Sequence, residues 1–479
     1  MEFTEFLGGR LDLFHQQVVK VADQFASGDL TPEEFRQGFK QLKGCLDQLG
    51  AATFVALVEQ ADEQASEIIH NGSIYRHKQP SVKEWLTPWG KVKVRRRLYQ
   101  ADRGGRSYIP LDHRCGMVDR FMTADIEEVC VLLSASLVPA EVEQALSGVY
   151  PDAPSRKAIQ NAQSKAGGYL EAHCEDLETT LAKTAPLNTL GDILVAGWDG
   201  TNVPVREPAP KRGRPAERPG VGGRAQAGHS DQGVTAWKEA GLGMVAVYQT
   251  PLDPTTQDAE RLDVRYFARM PEPKMARIVE QVSDQTKTAL LKGSFEHKVF
   301  IADGKREIWT TVEDHPLLGT FTPILDFYHM AEHLSLIAEA LFGKKTQKAQ
   351  DWYERCRHKL LEQPGAVHNL LRSLKRYRQS LRKGSPTHRL LTREIGYFRT
   401  NQHKMDYVAY RAEGLPIGSG PIEAACKTIV GHRLKRSGMR WHTKGGQEVL
   451  NLRAPLKSNR WQTTWNWYLT HSTKLTNAA

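Results

Sequence analysis

Three carboxylates stand out by their surroundings. Asp199 interrupts the apolar run Ile193-Leu194-Val195-Ala196-Gly197-Trp198, Asp303 closes the run Lys298-Val299-Phe300-Ile301-Ala302, and Glu423 follows the turn Gly418-Ser419-Gly420-Pro421. Two strand-borne aspartates and a helix-borne glutamate suit hard divalent cations. Mg²⁺ and Mn²⁺ take oxygen ligands, one or two carboxylates each, and keep other positions for phosphate and water. Two such ions about 3.5–4 Å apart would bind the attacking and leaving oxygens of a phosphodiester displacement. The three residues lie far apart in the chain, so only a fold can bring them together. Each also has a plain structural reading. Asp199-Gly200 reads as a tight hairpin turn. With Gly420 as N-cap and Pro421 at the first helical position, Glu423 at the third is ordinary capping chemistry. The turn is no Walker loop, because no Lys-Ser or Lys-Thr pair follows Gly420.

The elements that must position these side chains can be read from periodicity. The apolar strand through Asp199, a β-rich stretch at 235–250, a short strand at 265–268, helical spacing over 275–291 and the strand ending at Asp303 follow in order. Strands first, then helix, strand and helix, predict an α/β chain of the α+β kind with a mixed sheet. Phe321-Thr322-Pro323-Ile324-Leu325-Asp326-Phe327-Tyr328-His329 is a further strand leading into a helix that runs to about Phe342. There Asp326 and His329 share one side of the first turn, or Asp326 is simply the N-cap. Residues 343–414 form a basic helical insertion with Trp352, Tyr353, Tyr377, Tyr397 and Phe398 available for a core. Beyond the glycine-rich turn, Ile422, Ala425, Cys426 and Ile429 make an apolar helix face, with Glu423 and Lys427 one turn apart on its margin.

The chain has 479 residues and a formal net charge of +10. Its length predicts several domains and its charge a polyanionic partner, nucleic acid before an acidic small molecule. No apolar run reaches the length of a membrane span and no basic leader opens the chain, so a cytoplasmic protein with no membrane partner is expected. The six cysteines are scattered without a Cys-x-x-Cys pair, which implies neither a disulfide framework nor a zinc site.

Candidate DNA contacts occur in four places. Residues 1–75 read as helical, with Thr31-Pro32-Glu33-Glu34 as a capping box, and 76–120 as a basic hairpin in which 90–99 pairs across Ala101-Asp102-Arg103-Gly104-Gly105 with 106–109. Its Lys91, Lys93, Arg95 and Arg97 either contact phosphate or protect a solvated edge. Residues 121–186 hold three short helices, the third capped by Ser155 and carrying Arg156, Lys157 and Gln160, which fit a helix-turn-helix or plain three-helix packing. Within 187–342, the loop 206–230 contains Pro210-Lys211-Arg212-Gly213-Arg214-Pro215, like an AT-hook core whose Lys211, Arg212 and Arg214 suit a narrow minor groove. Within 415–456, Arg433, Lys435, Arg436 and Arg440 cluster after Glu423, either as backbone contacts or as a solvated surface. The aromatic tail 457–479 reads as a helix docking on the body.

Four ordered motifs carry a resemblance. Gly197-Trp198-Asp199-Gly200-Thr201, Ile301-Ala302-Asp303-Gly304-Lys305, Leu325-Asp326-Phe327-Tyr328-His329 and Ile417-Gly418-Ser419-Gly420-Pro421-Ile422-Glu423-Ala424-Ala425-Cys426-Lys427 resemble the DDE motifs of bacterial insertion-sequence transposases of the ISKra type. Arg433-Leu434-Lys435-Arg436-Ser437-Gly438-Met439-Arg440-Trp441 extends the match, which covers about 187–453 and is weaker before it. The resemblance implies an RNase H-like core with Asp199 on the first strand, Asp303 after the fourth and Glu423 on a late helix, together holding two Mg²⁺ or Mn²⁺ ions. It implies a helical insertion before the glutamate and a place for Asp326 and His329 beside the site, with His329 either contacting the scissile phosphate or supporting the site. The implied partners are double-stranded DNA, as terminal inverted repeats and target, and further copies of the chain, as a dimer or larger assembly. Two alternatives remain open: a domesticated regulator that binds DNA without catalysis, and an RNase H-like nuclease or resolvase that cuts without joining.

Overall fold

The computed structural model describes residues 3–26, 30–101, 105, 107–207, 234–254 and 257–478. The AT-hook-like segment with Lys211, Arg212 and Arg214 lies outside these residues. The chain forms two compact units, 1–172 with 464–479, and 173–463.

In the first unit, helices Phe3–Ala26 and Pro32–Gln60 pack as a hairpin. The second starts as its sequence predicts: Thr31 Oγ1 accepts the Glu34 N–H at 3.3 Å and Glu34 Oε2 accepts the Thr31 N–H at 2.9 Å. It ends at Gln60 instead of continuing toward residue 70, because Glu67–His70 (β1) pairs with Ser73–Thr87 (β2). The basic strand Gly90–Ala101 (β3) runs antiparallel to β2 along its length, and the partner expected across the 102–105 turn is only the two-residue Ser107–Tyr108 (β4). Alternation does hold on β3. Val92 and Val94 are buried in a cluster with Trp85, Leu111 and Met117, while Lys91, Lys93 and Arg95 are exposed. Helices Ala124–Ser134, Pro139–Ser147 and Arg156–Ala172 follow, and Ser155 Oγ accepts the Ala158 N–H at 3.3 Å as the cap of the third. The tail is helical (Trp461–Ala478), and Tyr468 donates to Glu127 Oε1 at 3.2 Å within this unit.

The second unit is built on a five-stranded mixed sheet. Its strands are Ile193–Glu207 (β5), Val234–Gln249 (β6), Glu260–Arg269 (β7), His297–Ala302 (β8) and Thr322–Leu325 (β9), in spatial order β7-β6-β5-β8-β9. β5, β6 and β7 are antiparallel neighbours, whereas β8 pairs parallel with β5 and β9 parallel with β8. β5 is central, and Ile193, Leu194, Val195, Ala196 and Trp198 are all buried, which is why it reads as a continuous apolar run. Helix Ala276–Lys292 packs on β5, β6 and β7. After β9 come helix Phe327–Phe342 and the insertion helices Gln347–Glu362, Ala366–Gln379, Pro386–Asn401 and Tyr407–Ala412. The insertion is fastened to the sheet: the buried Tyr407 donates to the Leu325 carbonyl at 3.1 Å and Tyr410 to the Pro323 carbonyl at 3.3 Å. No helix among the described residues is long and apolar enough to cross a membrane.

One glycine sets how closely the site-bearing elements approach. A Cβ placed on Gly197 of β5 would lie 2.3 Å from the Ile301 carbonyl oxygen on β8 and 2.7 Å from Ile422 Cδ1, beside Glu423. No real Cβ tolerates such contacts, so a side chain here pushes the three elements apart. Gly197→Ala is expected to cost about 1–3 kcal/mol through overpacking. A thermal unfolding midpoint equal to that of the unsubstituted protein would show that the elements do not meet there.

Candidate carboxylate site

Asp199 does not stand in a hairpin turn. It lies within β5 opposite Leu242, and the strand continues to Glu207. Asp303 directly follows β8, and because β5 and β8 are parallel neighbours, both aspartates emerge toward the same end of the sheet. There they share one cation. The Lys305 ammonium lies 3.2 Å from Asp199 Oδ1, 3.5 Å from Asp303 Oδ2 and 2.9 Å from Glu239 Oε1. Glu239 comes from β6, opposite Asn202. Neither Lys305 nor Glu239 is a candidate on sequence grounds. Lys305 does stand within the motif around Asp303, but nothing local distinguishes Glu239 from any charged strand residue.

Asp303 is also held through its backbone. Its Oδ1 accepts the Lys305 N–H at 3.0 Å and its carbonyl accepts Trp309 Nε1–H at 2.7 Å. Burial pushes the Asp303 carboxyl above the usual range; Lys305 opposes this, the Asp199 charge adds to it, and His329 opposes it more weakly. Burial alone would lower the Lys305 ammonium, but the hydrogen bond to Glu239 and the charges of Asp303 and Asp199 hold it above the ordinary lysine value.

Glu423 arrives on helix Gly420–Ala425. The cap is Ser419, one residue earlier than Gly420, and the Glu423 N–H donates to the Ser419 carbonyl at 3.0 Å. Glu423 is therefore fourth in the helix, and the capping-box reading of it falls. The cause is tertiary. Asp326, fully buried, accepts the His329 N–H at 2.8 Å as the cap of its own helix and the Ser419 N–H at 2.5 Å, together with the Ser419 hydroxyl. Its N–H donates to the Ala302 carbonyl at 2.9 Å, and the Phe327 N–H donates to the Ile417 carbonyl at 2.9 Å. Asp326 thus ties the end of β8 to the glycine-rich turn, and both of its carboxylate oxygens are engaged in doing so.

Burial raises the Glu423 carboxyl, the charge of Asp326 adds to this, Lys427 opposes it, and Asp199 raises it further. The Asp199 Oδ2 lies 3.9 Å from Cys426 Sγ, three residues past Glu423, so the glutamate's helix borders the aspartate pair. Lys427 is exposed and makes no ion pair with Glu423 among the described residues. His329 is partly exposed, its Nδ1 3.5 Å from Glu332. The helix then widens into a π-turn over Cys426–Gly431, a form common at functional sites. The buried Arg453 donates to the Thr428 and Ile429 carbonyls of that turn.

The basic candidates divide. Arg433 is buried, 2% exposed, with its guanidinium 5.2 Å from the Trp441 ring centre, so it is no surface contact. Trp441 is stitched beside β5 by backbone bonds to Pro204 and Arg206, and Arg433 packs against it. Lys435 and Arg440 are exposed and Arg436 half-buried; Lys435 donates to Thr201 Oγ1, two residues beyond Asp199. In the first unit, Arg156, Lys157 and Gln160 are exposed, although Arg156 pairs with Glu143 at 2.6 Å. Arg97 is half-buried and donates to the Gln64 carbonyl at 2.7 Å.

No group of three or more His, Cys, Asp or Glu side chains is gathered as a metal cage among the described residues. The fit to a hard divalent ion rests on the aspartate pair: two carboxylates already converge on one cation, and such ions need only one or two.

Raised carboxyls have a thermal signature. The folded state binds protons at Asp303 and Glu423 more tightly than the unfolded chain, so their contribution is full below the ordinary carboxylate range and is lost as pH rises through the raised values. At neutral pH, Glu423→Gln is therefore expected to raise the unfolding midpoint, with the gain vanishing near about pH 4. Equal midpoints at neutral pH would show that the carboxylate is not crowded. No protein-family model matches the chain, and no curated protein matches it.

Proposed function

We propose that this chain is a divalent-metal-dependent DNA transposase of the DDE kind, which cuts a phosphodiester at element ends and joins the freed 3′-hydroxyl to target DNA. The observation that carries the reading is the convergence of Asp199 and Asp303 on the Lys305 ammonium, with the helix of Glu423 against Asp199. The sheet supports an RNase H-like core: three antiparallel strands extended by two parallel ones, with the first strand central. A helical insertion between β9 and the glutamate fits the same reading.

Asp199, Asp303 and Glu423 would hold Mg²⁺ or Mn²⁺, whose chemistry there is Lewis-acid stabilisation of the attacking and leaving oxygens. The chain's own groups orient the DNA strand. Lys305, already at the aspartates, takes a phosphate oxygen when its carboxylates are otherwise engaged, and His329 approaches the same phosphate from the Asp303 side. Lys427 and Lys435 bracket Glu423 and Thr201 with exposed charge. Lys91, Lys93, Arg95, Lys157 and Gln160 supply DNA affinity in the first unit, and Lys211, Arg212 and Arg214 supply it through the minor groove. Two ends are handled together, so the working species is a dimer or larger assembly.

The test uses DNA carrying the element's ends with Mg²⁺ or Mn²⁺. Asp303→Asn is expected to lower cleavage by at least about 100-fold, several kcal/mol of transition-state stabilisation, while DNA binding at the same salt is unchanged. Retained cleavage removes Asp303 from the site. Pre-cleaved ends separate the alternatives: cutting without strand-transfer product marks a nuclease or resolvase, and neither activity marks a DNA-binding protein without catalysis.

A further inference from the structure

The helical insertion delivers a polar atom to the carboxylate site that has no partner among the described residues. The hydroxyl of Tyr397, on helix Pro386–Asn401, is buried and makes no hydrogen bond to any of them. It lies against Gly304, the neighbour of Asp303: a Cβ on that glycine would stand 2.3 Å from the tyrosine ring and 2.8 Å from its oxygen. An unsatisfied buried donor costs about 1–3 kcal/mol, which a phenylalanine here would avoid. The ring is also held in place. It stacks on His333 with centres 3.8 Å apart and planes at 17°, His333 Nδ1 lies 2.6 Å from Glu394 Oε2, and the fully buried Glu394 also accepts Arg393 Nε–H at 2.7 Å.

The surroundings leave one natural acceptor. A phenol is protonated at neutral pH and hence a donor; the carboxylates nearest to it are Asp303, Asp326, Glu394 and Glu332. Both oxygens of Asp326 are already engaged by His329 and Ser419, both oxygens of Glu394 by His333 and Arg393, and Glu332 is solvent-exposed beside His329. Among the described residues the Asp303 carboxylate is held only by Lys305, through its backbone N–H and a 3.5 Å approach of its ammonium. We propose that Tyr397 is a positioning residue for Asp303: its hydroxyl donates to the Asp303 carboxylate when that carboxylate turns from Lys305 to a divalent cation. The inference rests on the metal-dependent reading above. Outer donors of this kind fix the orientation of a ligating carboxylate, and their loss typically costs 10–100-fold in metal affinity.

The test is Mn²⁺ titration calorimetry on the full chain without DNA, paired with metal-free thermal unfolding, for the unsubstituted protein, Tyr397→Phe and Asp303→Asn. Tyr397→Phe is expected to keep or raise the metal-free midpoint, since only an unpartnered hydroxyl is lost, and to bind Mn²⁺ about 10–100-fold more weakly. Asp303→Asn is expected to abolish that binding. Unchanged Mn²⁺ affinity in Tyr397→Phe, or a lower metal-free midpoint, overturns the role of Tyr397 while leaving the metal reading standing. An unsubstituted protein that binds no Mn²⁺ overturns the metal reading itself, and this inference with it.

Discussion

Gathering carboxylates at one end of a sheet is opposed by their mutual repulsion, on the order of a few kcal/mol per close pair at an effective dielectric near 20. The Lys305 ammonium offsets this by touching Asp199, Asp303 and Glu239 together. Its partners come from three adjacent strands, so the contact also records their register at that end of the sheet. Glu423 stands outside this arrangement, and its raised carboxyl reflects burial beside the charges of Asp326 and Asp199, opposed by Lys427. Such crowding costs stability.

A second device fixes the geometry from behind. Asp326 spends its carboxylate on structure, holding the Gly418-Ser419-Gly420 turn to the end of β8, so the helix of Glu423 starts where the sheet can meet it. The turn's work is placement, and no phosphate need touch it. The insertion is not a detached appendage either. Tyr407 and Tyr410 bind the carbonyls of β9, and Tyr397 packs against Gly304, the neighbour of Asp303.

What could be read from the sequence follows from physics. The strands of Asp199 and Asp303 were legible because a strand buried on both faces is a run of apolar residues. The three helices between residues 124 and 172 were legible through periodicity and caps, Ser155 among them. β2 was not, because Arg76-His77-Lys78-Gln79-Pro80-Ser81 shows no alternation and carries a proline and a bulge; only its pairing with β1 and β3 makes it a strand. The cap at Ser419 was displaced by a residue far away in the chain, and the same kind of distant packing buries Arg433 against Trp441 and brings Glu239 to Lys305. Side chains of ordinary local appearance acquire their roles from strand order, which local pattern does not encode.

On the proposed reading, Asp199 and Asp303 form a divalent-cation site from which Lys305 withdraws. Anomalous scattering from crystals of the protein soaked in Mn²⁺ tests it directly. A manganese peak bound by both aspartates, with the Lys305 ammonium moved off them, is the expected result; Lys305 still bridging both carboxylates, with no manganese between them at saturating concentration, would contradict the account.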